Sequence, residues 1–68
     1  MLVRDVYSQA LEFQSNFMVF ENGTNNCYCC RFYENLVFSD FEKKMLDFSV
    51  VSVKFLNNTF ILNVVLGW

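Results

Sequence analysis

Val50-Val-Ser-Val-Lys-Phe-Leu56, then Asn57-Asn58, then Thr59-Phe-Ile-Leu-Asn-Val-Val-Leu66 is the stretch on which the fold turns. Two runs rich in β-branched and aromatic residues flank a dipeptide tolerant of positive φ, the mark of a tight two-residue hairpin. Such a turn fixes the register. It sets Phe55 opposite Phe60, Val53 opposite Leu62 and Val51 opposite Val64, so six apolar side chains share one face. The other face pairs Lys54 with Ile61, Ser52 with Asn63 and Val50 with Val65, a half-polar surface. The apolar face needs a cover, which the rest of the chain is expected to supply.

Upstream, Val3, Val6, Tyr7, Ala10 and Leu11 follow the i, i+3, i+4, i+7, i+8 spacing of an amphipathic helix, with Arg4, Asp5, Ser8, Gln9 and Glu12 on its polar side. The spacing predicts a helix over Val3 to Phe13, ended by Gln14-Ser15-Asn16. Phe17 to Glu21 reads as a strand, Asn22 to Asn26 as a turn, and Cys27 to Glu34 as the returning strand. Ser39 and Glu42 have the spacing of a capping box, which opens a helix of two turns over Asp40 to Leu46. The expected architecture is α+β. A four-stranded antiparallel sheet carries the N-terminal helix across the closing hairpin's apolar stripe, with a short helix between the two hairpins, all in a single domain over 1–68.

Composition limits what such a domain does. Of 68 residues, 54% are hydrophobic and 19% aromatic, with nine Phe, more than a body this small can readily enclose. A surface for self-association or for a partner protein is therefore expected, and a strand at the sheet edge without Pro, with Lys54 its lone charge, offers one. Seven acidic and five basic residues give a net charge of -2. The basic residues are scattered apart from Lys43-Lys44, so nucleic acid is not an expected partner, and the Phe32, Tyr33, Phe38, Phe41 and Arg31 series reads as packing rather than base stacking. No export signal and no apolar run long enough to span a bilayer is read, so the expectation is a soluble cytoplasmic protein with no membrane partner.

The chemistry-bearing residues are few. Regular strand alternation puts Cys27 and Cys29 on one face and Cys30 on the other, and the chain has no His. Four ligands for zinc do not converge within one chain, and only a symmetric dimer joining two thiol pairs would complete them, so neither a metal nor a cofactor is expected and the thiols read as packed, reduced cysteines. Without His, a Cys or Ser nucleophile lacks its usual base, which argues against an enzyme. Asp40, Glu42 and Asp47 are accounted for by a helix cap and a helix end. Tyr28, Arg31, Tyr33 and Glu34, in and after the returning strand, combine the residue types favoured at binding hot spots and form the candidate partner-binding set.

The Val3-Arg4-Asp5-Val6 opening, the Val19-Phe20-Glu21-Asn22-Gly23 segment, the Arg31-Phe32-Tyr33-Glu34 segment and the Val-rich terminal hairpin resemble a type of small phage protein. In these proteins a short amphipathic helix is followed by a strand reading V-x-V-Y-E-N-G. The resemblance implies a phage origin. It implies no mechanism, but small acidic phage proteins include inhibitors of host defence, anti-CRISPR proteins among them, and a chain this poor in reactive groups suits a non-catalytic binder that occupies a surface on a host protein. It carries over no functional residue, and the Cys27-x-Cys29-Cys30 cluster departs from the pattern. The alternatives are a small structural homo-oligomer and a protein that sequesters a nucleotide-like small molecule.

Overall fold

The computed structural model describes residues 1–65. Helix α1 (Val3–Glu12) precedes strands β1 (Asn16–Glu21) and β2 (Cys27–Arg31). Two 3-10 helices, Tyr33–Asn35 and Glu42–Asp47, then lead to β3 (Ser49–Leu56) and β4 (Thr59–Val65). The fold is α+β, as the spacing predicts. The expected end of the last strand at Leu66 lies outside the described residues.

The α1 helix begins where the Asp5 carboxylate accepts the Leu2 N–H at 2.9 Å and ends in a left-handed residue, Gln14, at φ 54°. There the Ser15 N–H bonds the Ala10 carbonyl and the Gln14 N–H bonds that of Leu11, a Schellman closure that reverses the chain into β1. Val3, Val6 and Ala10 are buried. They share one core with Phe17 and Val19 of β1 and Phe60, Leu62 and Val64 of β4.

The sheet order is β2-β1-β4-β3, and here the structure corrects one expectation. Each hairpin is antiparallel, but the two central strands β1 and β4 run parallel, from Asn16 beside Thr59 to Glu21 beside Val64. The sheet is therefore mixed. Parallel neighbours need a long crossover, and the segment from Phe32 to Phe48 provides it. This segment packs on the same side of the sheet as α1, burying Leu36, Phe38, Met45 and Phe48. Tyr7 ties it to the helix by donating to the Leu36 carbonyl at 2.6 Å and by resting against the Phe38 ring at 4.7 Å between centroids.

The capping box forms, with the Ser39 hydroxyl accepting the Glu42 N–H at 3.2 Å and the Glu42 carboxylate accepting the Ser39 N–H at 3.1 Å. What it opens is a 3-10 helix rather than an α-helix. The Arg31 guanidinium also pairs with Glu42, which ties the crossover to the end of β2. These donors, led by the Ser39 N–H, hold the Glu42 carboxyl below its ordinary pKa.

Two bulges correct the expected side-chain faces. In the closing hairpin Phe55–Phe60, Lys54–Ile61, Val53–Leu62 and Ser52–Asn63 pair as predicted, but Val50 then sits opposite Val64 and Ser49 opposite Val65. Val51 is the extra residue, so the Val51–Val64 and Val50–Val65 pairs do not form. In the first hairpin Val19 pairs with Cys29 but Phe20 pairs with Cys27. Cys27 and Cys29 consequently lie on opposite faces, Cys29 buried and Cys27 exposed. The returning strand also stops at Arg31 instead of Glu34.

Candidate docking surface

The geometry of β3 decides one open apolar surface. A two-residue hairpin closes on the hydrogen-bonded pair Leu56–Thr59, with Asn57 and Asn58 at φ 53° and 56°, the conformation of a type I′ turn. From there hydrogen-bonded and non-bonded pairs alternate. The backbone groups of Val53 and Phe55 therefore point away from β4, toward the outer edge of the sheet. At the start of β3 that edge is occupied, because Leu2 bridges Ser49 and the Val50 N–H donates to the Met1 carbonyl at 2.9 Å. Beyond Val50, among the described residues, no further strand pairs with this edge.

The side chains there are uncovered as well. Val51, Val53, Phe55 and Leu56 are 53%, 38%, 56% and 60% exposed, which corrects the expectation that the helix buries all six residues of the stripe. A helix about 10 Å across spans roughly two strands set ~4.8 Å apart, and α1 lies over β1 and β4. Its own Leu11, expected to face the sheet, is exposed.

Beside this edge is a groove of about 420 Å³ lined by Gln9, Phe13, Phe55, Asn58 and Phe60. The Phe60 ring is its floor, with Phe55 tilted against it at 4.7 Å and Phe13 stacked at 6.5 Å between centroids. Its position is rigidly set from behind. The buried Ser15 hydroxyl donates to the Asn58 side-chain oxygen at 3.2 Å, the Asn58 amide donates to the Gln14 carbonyl at 3.2 Å, and the Asn16 N–H bonds the Asn58 carbonyl at 2.8 Å. The hairpin turn is thus clamped to the end of α1. The groove's volume falls within the range of small-molecule sites, but no Lys or Arg lines it to hold a phosphate. Apolar side chains of a partner suit it better.

The four residues singled out in the sequence lie elsewhere. Tyr28 is half-buried, its ring edge-on to Phe48 at 6.3 Å, and Arg31 is engaged by Glu42. Both are therefore committed within the fold. Tyr33 and Glu34 are exposed on the first 3-10 helix, where the Tyr33 N–H donates to the Asn16 side chain at 3.0 Å. Phe13 and Phe55, the groove's walls, were missed. The signal that bears on them is the width of one helix against four strands, which leaves an outer strand of the apolar stripe bare.

Charge around the edge is sparse. Arg4 pairs with Asp47, Arg31 with Glu42 and Lys43 with Asp40, while Lys44 lies over the Phe41 ring. Among the described residues Lys54, in the middle of β3, has no ion pair. Burial pushes the Cys29 thiol up to about 11, which keeps it protonated and unreactive near neutral pH. Among the described residues no group of three or more His, Cys, Asp or Glu side chains is placed to hold a metal ion, and no helix is long and apolar enough to cross a membrane.

No protein-family model, no curated protein and no solved structure matches this chain.

Proposed function

We propose that this protein is a non-catalytic binding module that engages a partner protein through the outer edge of β3 and the adjoining phenylalanine groove. The observation that carries the reading is the coincidence, on one rim, of outward-facing backbone groups at Val53 and Phe55 with exposed apolar side chains and an aromatic groove. An extended segment of a partner would continue the sheet and seat an apolar side chain between Phe13 and Phe55. Unpaired Lys54 favours an acidic residue in that segment. The motif resemblance makes a host defence protein, inhibited stoichiometrically by occupation of a surface, the natural partner class.

The test compares tagged wild type with a Val53→Lys/Phe55→Lys double variant as bait in host lysate, using cross-linking from β3 to identify what is captured. The expected result is one protein recovered in stoichiometric amount by the wild type and lost with the variant, whose circular dichroism is unchanged. Equal recovery by both baits, or none at bait excess, would contradict the reading.

One feature favours a second reading, in which the partner is another copy of the chain. The free segment of β3 is self-complementary about Val53. An antiparallel pairing there sets Ser52 opposite Lys54 of the other copy and Val51 opposite Phe55, with no like charges facing each other. Sedimentation velocity across a hundredfold concentration range separates the two readings, since only the second predicts a dimer that the Val53→Lys/Phe55→Lys variant abolishes.

A further inference from the structure

The opposite edge of the sheet carries a separate feature. The bulge in β2 places Cys27 opposite Phe20 and Cys30 opposite Met18. Phe20 and Met18 are two residues apart on β1 and so share a face, the one that neither α1 nor the crossover covers. Cys27, Cys30 and Met18 are thereby gathered on one open side, while Cys29 points into the core. Regular alternation would have separated the two exposed thiols; the extra residue brings them to the same face.

Their spacing selects the chemistry. Cys27 and Cys30 stand opposite positions about 6.6 Å apart along β1, while three residue steps, up to about 10 Å, separate them on the bulged β2. That range starts at the upper limit of the Cα separation of a disulfide, yet it allows two sulfurs to meet at one ion, where bonds of roughly 2.3 Å bring them to about 4 Å. The Cys27 Sγ is turned back along its own strand, donating to the Cys29 carbonyl at 3.4 Å. Met18, directly across from Cys30, adds a thioether. Two thiolates and a thioether are one ligand short of the closed tetrahedral sites of zinc, and a low-coordinate set that includes a thioether suits Cu(I).

We propose that Cys27, Cys30 and Met18 form a binding site for one soft monovalent cation, Cu(I) being the biological member of that class. Each Cys loses its S–H proton to solvent as an S–Cu bond forms, so two protons leave and a singly negative bis-thiolate complex results. Met18 donates a neutral lone pair. No electrons change hands. The site is on the edge of the sheet farthest from β3 and does not depend on the docking reading.

The test is titration of the reduced full chain with Cu(I) in competition with a chromophoric Cu(I) chelator, and with Ag(I) followed by native mass spectrometry. The expected result is one ion per chain. Cys27→Ser and Cys30→Ser should each weaken binding by roughly 100-fold or more, and by as much as the double variant, while Met18→Leu costs about 10-fold. Cys29→Ala, which alters only the buried thiol, should keep the stoichiometry; its fold, and that of the others, is checked by circular dichroism. Retention of wild-type affinity by either exposed-cysteine variant, or binding that a single cysteine supports as well as the pair, would overturn the site.

Discussion

Strands β4 and β3 carry almost the same alternating apolar pattern, are neighbours in one hairpin, and meet opposite fates. Phe60, Leu62 and Val64 of β4 are buried, whereas Val51, Val53 and Phe55 of β3 stand open to solvent. Pattern assigns a side chain to a face of the sheet; position in the sheet decides whether that face is covered. β4 lies between β1 and β3, beneath α1, and its turn is clamped to the helix end through Asn58 and Ser15. Beyond Val50, β3 is held on one side only, and an apolar edge strand left in that position is a template for further pairing.

The largest effect should come from truncating two residues that face each other across the hairpin. Leu62→Ala opens a cavity at a fully buried position and should cost about 2–5 kcal/mol, while Val53→Ala, directly opposite, should cost less than about 1 kcal/mol. Urea unfolding of both variants reads the difference. Similar losses at the two positions would mean that β3 is as enclosed as β4.

The clamp on the turn comes next. Asn58→Gly keeps the positive φ but removes the bonds to Ser15 and Gln14, leaving a buried hydroxyl with one partner fewer. It should destabilise by about 1 kcal/mol, whereas Asn57→Gly, whose side chain makes no such bond, should be neutral or slightly stabilising. Thermal unfolding distinguishes the two substitutions.

A smaller effect concerns the crossover that leads the chain to the β3 edge. Folding lowers the Glu42 pKa from its ordinary 4.5. Its contribution is therefore fully present above about pH 4.5 and is lost as pH falls through the lower folded value. Glu42→Ala should cost about 1 kcal/mol at pH 7 through loss of the cap and of the Arg31 pair. The gap between variant and wild type should narrow as pH falls through that lower value. Urea midpoints measured from pH 3 to 7 check this, and a gap that persists at low pH would remove the charged pair from the explanation.

Much of the fold is legible locally. The helix follows from the spacing of Val3, Val6 and Ala10, the cap from Ser39 and Glu42, and the register near the last turn from Asn57-Asn58, since each depends on residues a few positions apart. What is not legible depends on distant partners or on a single inserted residue. Nothing in β1 or β4 taken alone announces that they run parallel, because that pairing is decided by where the crossover delivers β3. The bulges at Val51 and beside Cys27 change the faces of whole segments without a mark in composition. The candidate docking surface follows the same rule: Tyr28 and Arg31 have the chemistry of recognition residues but are drawn into the fold, while Phe55, which reads as core, and Phe13, which reads only as a helix end, line the groove.

The most direct measurement is residue-resolved amide hydrogen exchange of the dilute, monomeric protein. Along β3 the amides of Ser52 and Lys54, bonded to β4, should be protected, and those of Val53 and Phe55, directed outward, should exchange orders of magnitude faster. Equal protection of all four amides at that dilution would mean that the edge is already covered within the chain, and the docking surface would not exist.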